Sequence, residues 1–321
     1  MPSPFTSRLA LALGSLLLTI GILEISGRVF ISEPVERHDG FDHDAQLGWT
    51  LPAGQTMSWR GQPATINRIG LRTPEPKNTA TTKILTIGDS SVFGDGVRDH
   101  ETLAAQMSGL LSSAVDVQNA GVPGYTCWQS RLWVERIRKQ FQPDILIVYN
   151  QHSDYRRASS HDRVIAATQL GPLATLGIGR LISYASLHWR IRQGGSNLTV
   201  DEYRACLRGL ADDQESAGGS VVFVIPITDV DFETSPFFGQ PEPGEPGTRL
   251  VDYRTVMREV ASERKAVLVN GKKAITAAQL TGNQALLDTV HPTAKGHSAL
   301  SKGIVQAITE AGLLGRTSEK R

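Results

Sequence analysis

Two stretches far apart in the chain hold the residues best suited to chemistry: ILTIGDSSVFGDGV, Ile84 to Val97, and LLDTVHPTAKGH, Leu286 to His297. The first is an apolar run that stops at Gly88-Asp89-Ser90-Ser91. A serine at the carboxyl end of a buried strand, where a helix begins, has its own N–H and the positive end of the helix dipole facing the ligand space. Its hydroxyl can attack a carbonyl only if a base takes its proton. In the second stretch Asp288 and His291 are close enough for the carboxylate to orient one imidazole nitrogen and leave the other for a serine. Pro292 holds His291 out of helical conformation, and Thr293 suits the N-cap of a final helix. Plainer readings stay open at this point. Ser90 or Ser91 can serve only as a helix cap, Asp-x-x-His is common in ordinary loops, and His297 fits a surface or a core position.

The elements around these stretches alternate. KILTIGD, VDVQNAG, DILIVYN, SVVFVIPI and AVLVN read as strands, most of them continuous apolar runs. Between them HETLAAQMSGLLSSA and CWQSRLWVERIRKQF have helical spacing, TVDEYRACLRGLADDQESAG opens with a capping box of Thr199 and Glu202, and helices are expected from Val251 to about Glu263 and from about Thr293. Such strands, separated by amphipathic helices, predict a parallel sheet covered on both faces, and right-handed crossovers make it a doubly wound α/β domain of flavodoxin-like type. In an open sheet of this kind, ligands sit beyond the carboxyl ends of the strands. Two insertions interrupt the alternation: a long, partly helical one from Arg156 to Gly195, and the Pro-, Gly- and acid-rich DVDFETSPFFGQPEPGEPG. Trp128, Trp133 and Trp189 read most simply as packing residues.

Bulk properties narrow the function. Lys+Arg 33 against Asp+Glu 32 leaves no field to attract nucleic acid. The remaining histidines form no H-E-x-x-H pattern and no cluster, so metal chemistry has little support, and a serine–histidine mechanism requires no metal or organic cofactor. No G-x-S-x-G elbow is present, and GDSSVFGDGV lacks both G-x-G-x-x-G and a phosphate-loop lysine. Two cysteines, Cys127 and Cys206, are either a single bridge in an oxidising compartment or unrelated thiols. After Arg8 comes LALALGSLLLTIGIL, which reaches spanning length when extended past Glu24 to Ile31 and reads as an uncleaved signal anchor, with a cleaved signal peptide and then an ordinary buried helix as the alternatives. Arg8 and Arg28 flank it on both sides, so charge does not orient it. The expected organisation is an anchor over 1–31, a juxtamembrane linker and small hairpin region over 32–82, the α/β domain over 83–314 and a frayed tail over 315–321.

Together the motifs resemble the SGNH/GDSL hydrolase superfamily, and the resemblance covers roughly Lys83 to Gly312. Gly88-Asp89-Ser90 matches its first block, with Ser90 at the nucleophile. NAGVPGYT matches the second, with Gly124 at the oxyanion glycine, and Asp288 with His291 matches the last. The third block, G-x-N-D, departs: VYNQHSDYR aligns Gln151 with the glycine and Ser153 with the asparagine while keeping Asp154. Ser153, or Asn150 swinging in from three residues upstream, would have to replace the lost amide donor. LGWTLPAG, INRIGLRTPEP and the N-terminal segment look like a membrane-anchored bacterial subgroup.

The resemblance implies a serine esterase using Ser90, His291 and Asp288, with Ser90 and Gly124 N–H groups at the oxyanion, acting on a small-molecule or carbohydrate ester. Two other outcomes are compatible with these residues: acyl transfer to a polysaccharide hydroxyl, and a binding module that kept the fold but lost the chemistry. A lipase-like variant would need Leu173 to Ile191 to act as an apolar lid. Nothing in the residues sets an oligomeric state.

Overall fold

The computed structural model describes residues 4–31, 40–158, 170–232 and 250–315. Most of the acidic Pro-rich insertion, the start of the expected linker and the tail beyond Gly315 lie outside the described residues.

Helix α1 (Pro4–Phe30) comes first, followed by two small antiparallel hairpins, β1 (Asp42–Asp44) with β2 (Gly48–Thr50) and β3 (Thr56–Trp59) with β4 (Gln62–Thr65). The main domain then runs β5 (Thr82–Gly88), α2 (Ser90–Phe93), α3 (Leu103–Leu110), β6 (Val115–Asn119), α4 (Cys127–Ile137), β7 (Ile145–Tyr149) and α5 (His152–Tyr155). It continues with α6 (Gly177–Arg192), α7 (Val200–Ser216), β8 (Ser220–Ile225), α8 (Leu250–Glu263), β9 (Val267–Asn270), α9 (Gly271–Ala277), α10 (Gly282–Ala285) and α11 (Ala294–Glu310).

Strands β6-β5-β7-β8-β9 form one sheet in that order, every neighbouring pair parallel. This is the strand order of the flavodoxin-like fold class, which the alternation indicated without fixing the order. The chain steps from β5 to one side for β6 and returns to the other side for β7, so the carboxyl end of β5 is the topological switch point where a crevice opens.

The unbroken apolar strands have a direct cause. Leu85, Ile87, Leu146, Val148, Val221 and Phe223 enter a core with α4, α7, α8 and both hairpins. Their neighbours Ile84, Ile145, Ile147, Val222 and Val224 enter a second core with α3 and α11. Successive side chains point to opposite faces, so both sets must be apolar, each fully buried Leu, Ile or Val contributing about 1.5–3 kcal/mol. The hairpins belong to the first core through Leu47, Trp49, Leu51, Met57 and Ala64.

Thr199 and Glu202 form the expected capping box on α7, and Thr293 Oγ1 accepts from the Gly296 N–H at the start of α11. Trp133 is core and Trp128 packs against it, whereas Trp189 is 65% exposed on α6. The cysteines are bridged, tying the first residue of α4 to the middle of α7.

Within α1, Arg8–Phe30 has mean hydropathy 2.1 and is long and apolar enough to cross a membrane. Its carboxyl half lies against α6, where Gly27 and Gly177 have no room for a side chain at the crossing. Glu24 Oε2 accepts from the Ile178 N–H there, 3.1 Å away. Most of the Leu173 to Ile191 stretch that a lipase-like variant would need as a lid is thus a helix packed on α1.

Candidate active site

Ser90 stands at the switch point as the first residue of α2. The cap of that helix is Asp89, whose Oδ1 accepts from the Ser91 N–H at 3.0 Å. Capping duty thus falls to the preceding residue, and the Ser90 hydroxyl is left for another partner. Its Oγ lies 2.8 Å from His291 Nε2. Next to it, Ser91 Oγ donates to the Val290 carbonyl at 3.1 Å, fastening the same two segments a second time.

The loop carrying His291 is closed on itself. Leu287 N–H donates to the His291 carbonyl at 2.8 Å. Asp288 Oδ1 accepts from the N–H groups of Val290 and His291 at 3.0 and 2.9 Å. Its Oδ2 sits 2.6 Å from His291 Nδ1, so the carboxylate fixes that nitrogen as the proton-bearing one. Ser90, His291 and Asp288 are thus in one hydrogen-bonded line.

Charge in this line follows from its surroundings. Burial resists ionisation of Asp288, but the His291 bond and two backbone N–H groups overcome it and hold the carboxyl well below the usual range. For His291, burial works against the charged form, while the Asp288 hydrogen bond and the charges of Asp95, Asp288 and Asp89 more than offset it, so its pKa is raised.

Gly124 follows β6 with φ +83°, a left-handed backbone that suits glycine. The hairpin β1–β2 braces this loop: Trp49 Nε1 donates to the Pro123 carbonyl at 3.0 Å and Tyr125 Oη to the Trp49 carbonyl at 2.5 Å. Among the described residues, nothing accepts a hydrogen bond from the N–H of Ser90 or of Gly124.

The third block is arranged differently. Ser153 Oγ and N–H both face Asp89 Oδ2 at 3.3 Å. Asn150 is fully buried and its Nδ2 donates to Ser130 Oγ at 3.0 Å, so it is held in the interior behind β7. Asp154 is buried with its pKa raised well above normal by desolvation, and its Oδ1 accepts the Cys127 N–H at 2.7 Å, at the start of α4. Both donors of Ser153 are thus turned to Asp89, and Asn150 Nδ2 is engaged with Ser130.

Four further residues reach the site that the motifs did not single out. Asp95, five residues after Ser90, is 2% exposed with Oδ2 3.5 Å from His291 Nε2. Trp59 and Arg60, at the tip of the β3–β4 hairpin, both contact Asp95. His152 lines a small recess with Asp89, Ser91, Tyr149 and Val290; burial, the largest influence, lowers its pKa. Asp95 stood within the quoted first stretch and was readable as a carboxylate near the serine, whereas nothing in the hairpin's spacing pointed to the site. His297, by contrast, is a core residue, 1% exposed, whose burial pushes its pKa down to about 3.

A doubly wound parallel sheet with hydroxyl, imidazole and carboxylate aligned at its carboxyl edge defines the class: an SGNH-type α/β hydrolase. The chain belongs to the GDSL-like Lipase/Acylhydrolase family, whose model matches residues 86–299, and it is a carboxylic ester hydrolase. Solved structures similar to it include an acetylxylan esterase from Geobacillus stearothermophilus, at 19% identity and TM-score 0.47 over 75% of this chain and 98% of that one. A protein described as a GDSL-like lipase from Parabacteroides merdae shows 16% identity and TM-score 0.48 over 75% and 100%. An α/β hydrolase from the metagenome of Lake Arreo, Spain, shows 15% identity and TM-score 0.47 over 74% and 98%. No curated protein matches the sequence.

Proposed function

We propose that the protein cleaves acyl esters through a Ser90–His291–Asp288 triad and an acyl-enzyme. The observation that carries this reading is the 2.8 Å approach of Ser90 Oγ to His291 Nε2, with Asp288 2.6 Å from the opposite nitrogen. His291 takes the hydroxyl proton as Oγ bonds to the ester carbonyl carbon, and Asp288 stabilises the imidazolium. The free N–H groups of Ser90 and Gly124 receive the oxyanion. Collapse of the tetrahedral species breaks the bond to the leaving alcohol, to which His291 returns the proton. Water, deprotonated by the same imidazole, then releases the acid and restores Ser90.

The substrate class we propose is an acyl ester of envelope carbohydrate or lipid. The support is positional: a helix able to cross a membrane precedes the domain, and the Cys127–Cys206 bridge suits an oxidising compartment, hence a periplasmic or extracellular site.

The test is hydrolysis of p-nitrophenyl acetate by full-length protein in detergent, alongside Ser90→Ala. Loss of about 1000-fold or more in kcat is expected for the variant. Equal rates from two folded proteins would overturn the triad and favour a binding module. Preferential transfer of the acyl group to added sugar over water would instead assign an acyltransferase.

A further inference from the structure

We propose that Arg60 and Asp95 are positioning residues that govern how His291 Nε2 shares its proton during the reaction. The inference rests on His291 being the general base. Arg60 lies on a hairpin that precedes the residues matched by the family model, whereas Asp95 lies within them.

Three independent features point to it. The first is geometric. His291 Nε2 has two oxygen neighbours, Ser90 Oγ at 2.8 Å and Asp95 Oδ2 at 3.5 Å. When Nε2 carries a proton, Asp95 competes with the serine or leaving oxygen for it. Arg60 Nε lies 3.1 Å from that same Asp95 oxygen, and Arg60 Nη1 lies 3.5 Å from Asp288 Oδ2. One guanidinium therefore touches both carboxylates that flank the imidazole.

The second is burial. The Asp95 side chain is 1% exposed, and an isolated carboxylate there would be costly. Trp59 Nε1 donates to its Oδ1 at 2.5 Å, and Arg60 faces Oδ2, so the hairpin tip supplies two of its partners.

The third is backbone conformation. Trp59 pairs with Gln62, leaving Arg60 and Gly61 as a two-residue loop with φ +47° and +76°. Positive φ at both positions is the type I′ signature, which favours Asn, Asp or Gly at the first. An arginine held there carries strain of the kind that concentrates at functional sites.

Charge sets the expected directions. Asp95 favours the imidazolium, and Arg60 draws on the same oxygen and opposes it. The other charged or titratable groups acting on His291 are Asp288 on its own loop, Asp89 before α2, His152 on α5 and His297 on α11. All stay in place in the variants below.

The experiment measures the pH dependence of kcat/KM and titrates His291 by imidazole-resolved NMR on histidine-labelled full-length protein, assigned with His291→Gln. Arg60→Gly removes the cation and gives the turn the residue its backbone prefers. Its acidic limb and its His291 titration should both move up by about half a pH unit or more. Asp95→Asn should move both down, Arg60→Lys should restore most of the wild-type profile, and the double variant should fall between the single ones. Opposite shifts cannot come from a merely structural role, which would lower thermal stability and leave the titration unmoved. If both variants titrate and react with the wild-type midpoint, the inference is wrong. If Ser90→Ala remains active, the triad fails instead, and the NMR titration still reports separately on the charge pair.

Discussion

The guanidinium of Arg72 donates to the Gly94 carbonyl at 2.7 Å, closing the turn that follows the Ser90 helix. The same side chain, 2% exposed, also reaches the carbonyls of Phe93, Val97 and Pro63 and the carboxylate of Asp99. From β6, Asn119 Nδ2 donates to the Val92 and Phe93 carbonyls at 2.9 and 3.3 Å. A helix as short as α2 leaves its last carbonyls unsatisfied, and these two residues supply the missing donors.

Arg72→Met should therefore lower unfolding free energy by about 3 kcal/mol, because several buried acceptors lose their partner at once. Arg72→Lys should rescue little, since an ammonium cannot fork toward acceptors on different sides. Urea unfolding checks both, with the midpoint falling and the slope unchanged.

The Cys127–Cys206 bridge closes a loop of sequence separation 79. Replacing both cysteines by serine should cost about 2–5 kcal/mol. Calorimetry of the variant, and of wild-type protein in reductant, should show matching losses.

In the proposed mechanism the raised pKa of His291 sets the acid limb of activity. The base must be neutral, so kcat/KM should climb with pH through a midpoint above the ordinary histidine value of about 6.5. The stability contributed by His291 is fully present below that ordinary value and is lost as pH rises through its folded value. Asp288 has the opposite sign: its contribution is present above its unfolded pKa and disappears only as pH falls through the depressed folded value. Asp288→Asn should cut kcat by about 10,000-fold by presenting the wrong tautomer of His291.

Ser153 faces Asp89, so Ser153→Ala should leave kcat within about 3-fold of wild type, an oxyanion donor being worth 100-fold or more. Ser153→Asn, which restores the family's amide, should raise kcat by roughly 10-fold with little change in KM. Steady-state kinetics on one ester decides both. A large loss in Ser153→Ala would show that the hydroxyl turns toward the oxyanion during catalysis.

Much of the sheet was readable because its cause is local. Both faces of β5, β7 and β8 are buried, so most of their positions are apolar and the strands announce themselves, as do the caps at Thr199 and Thr293. The bracing of the site was not readable. Trp49 beneath the Gly124 loop, Arg60 over Asp95 and Arg72 behind α2 act from two short hairpins and the loop that follows them, on segments that no local spacing ties to them.

By itself the sequence determined the residue types available for chemistry, the order of strands and helices, and a serine at one strand end with an Asp-x-x-His pair near the last helix. Those properties follow from periodicity and backbone preference, which act over a few residues. Only the tertiary structure decided that Ser90 meets His291 across 201 positions, that Ser153 turns to Asp89, and that a second carboxylate stands beside the imidazole under an arginine. Such contacts depend on strand order and on which loops share the carboxyl edge of the sheet. No local pattern encodes a distance between segments that meet only when the chain has packed.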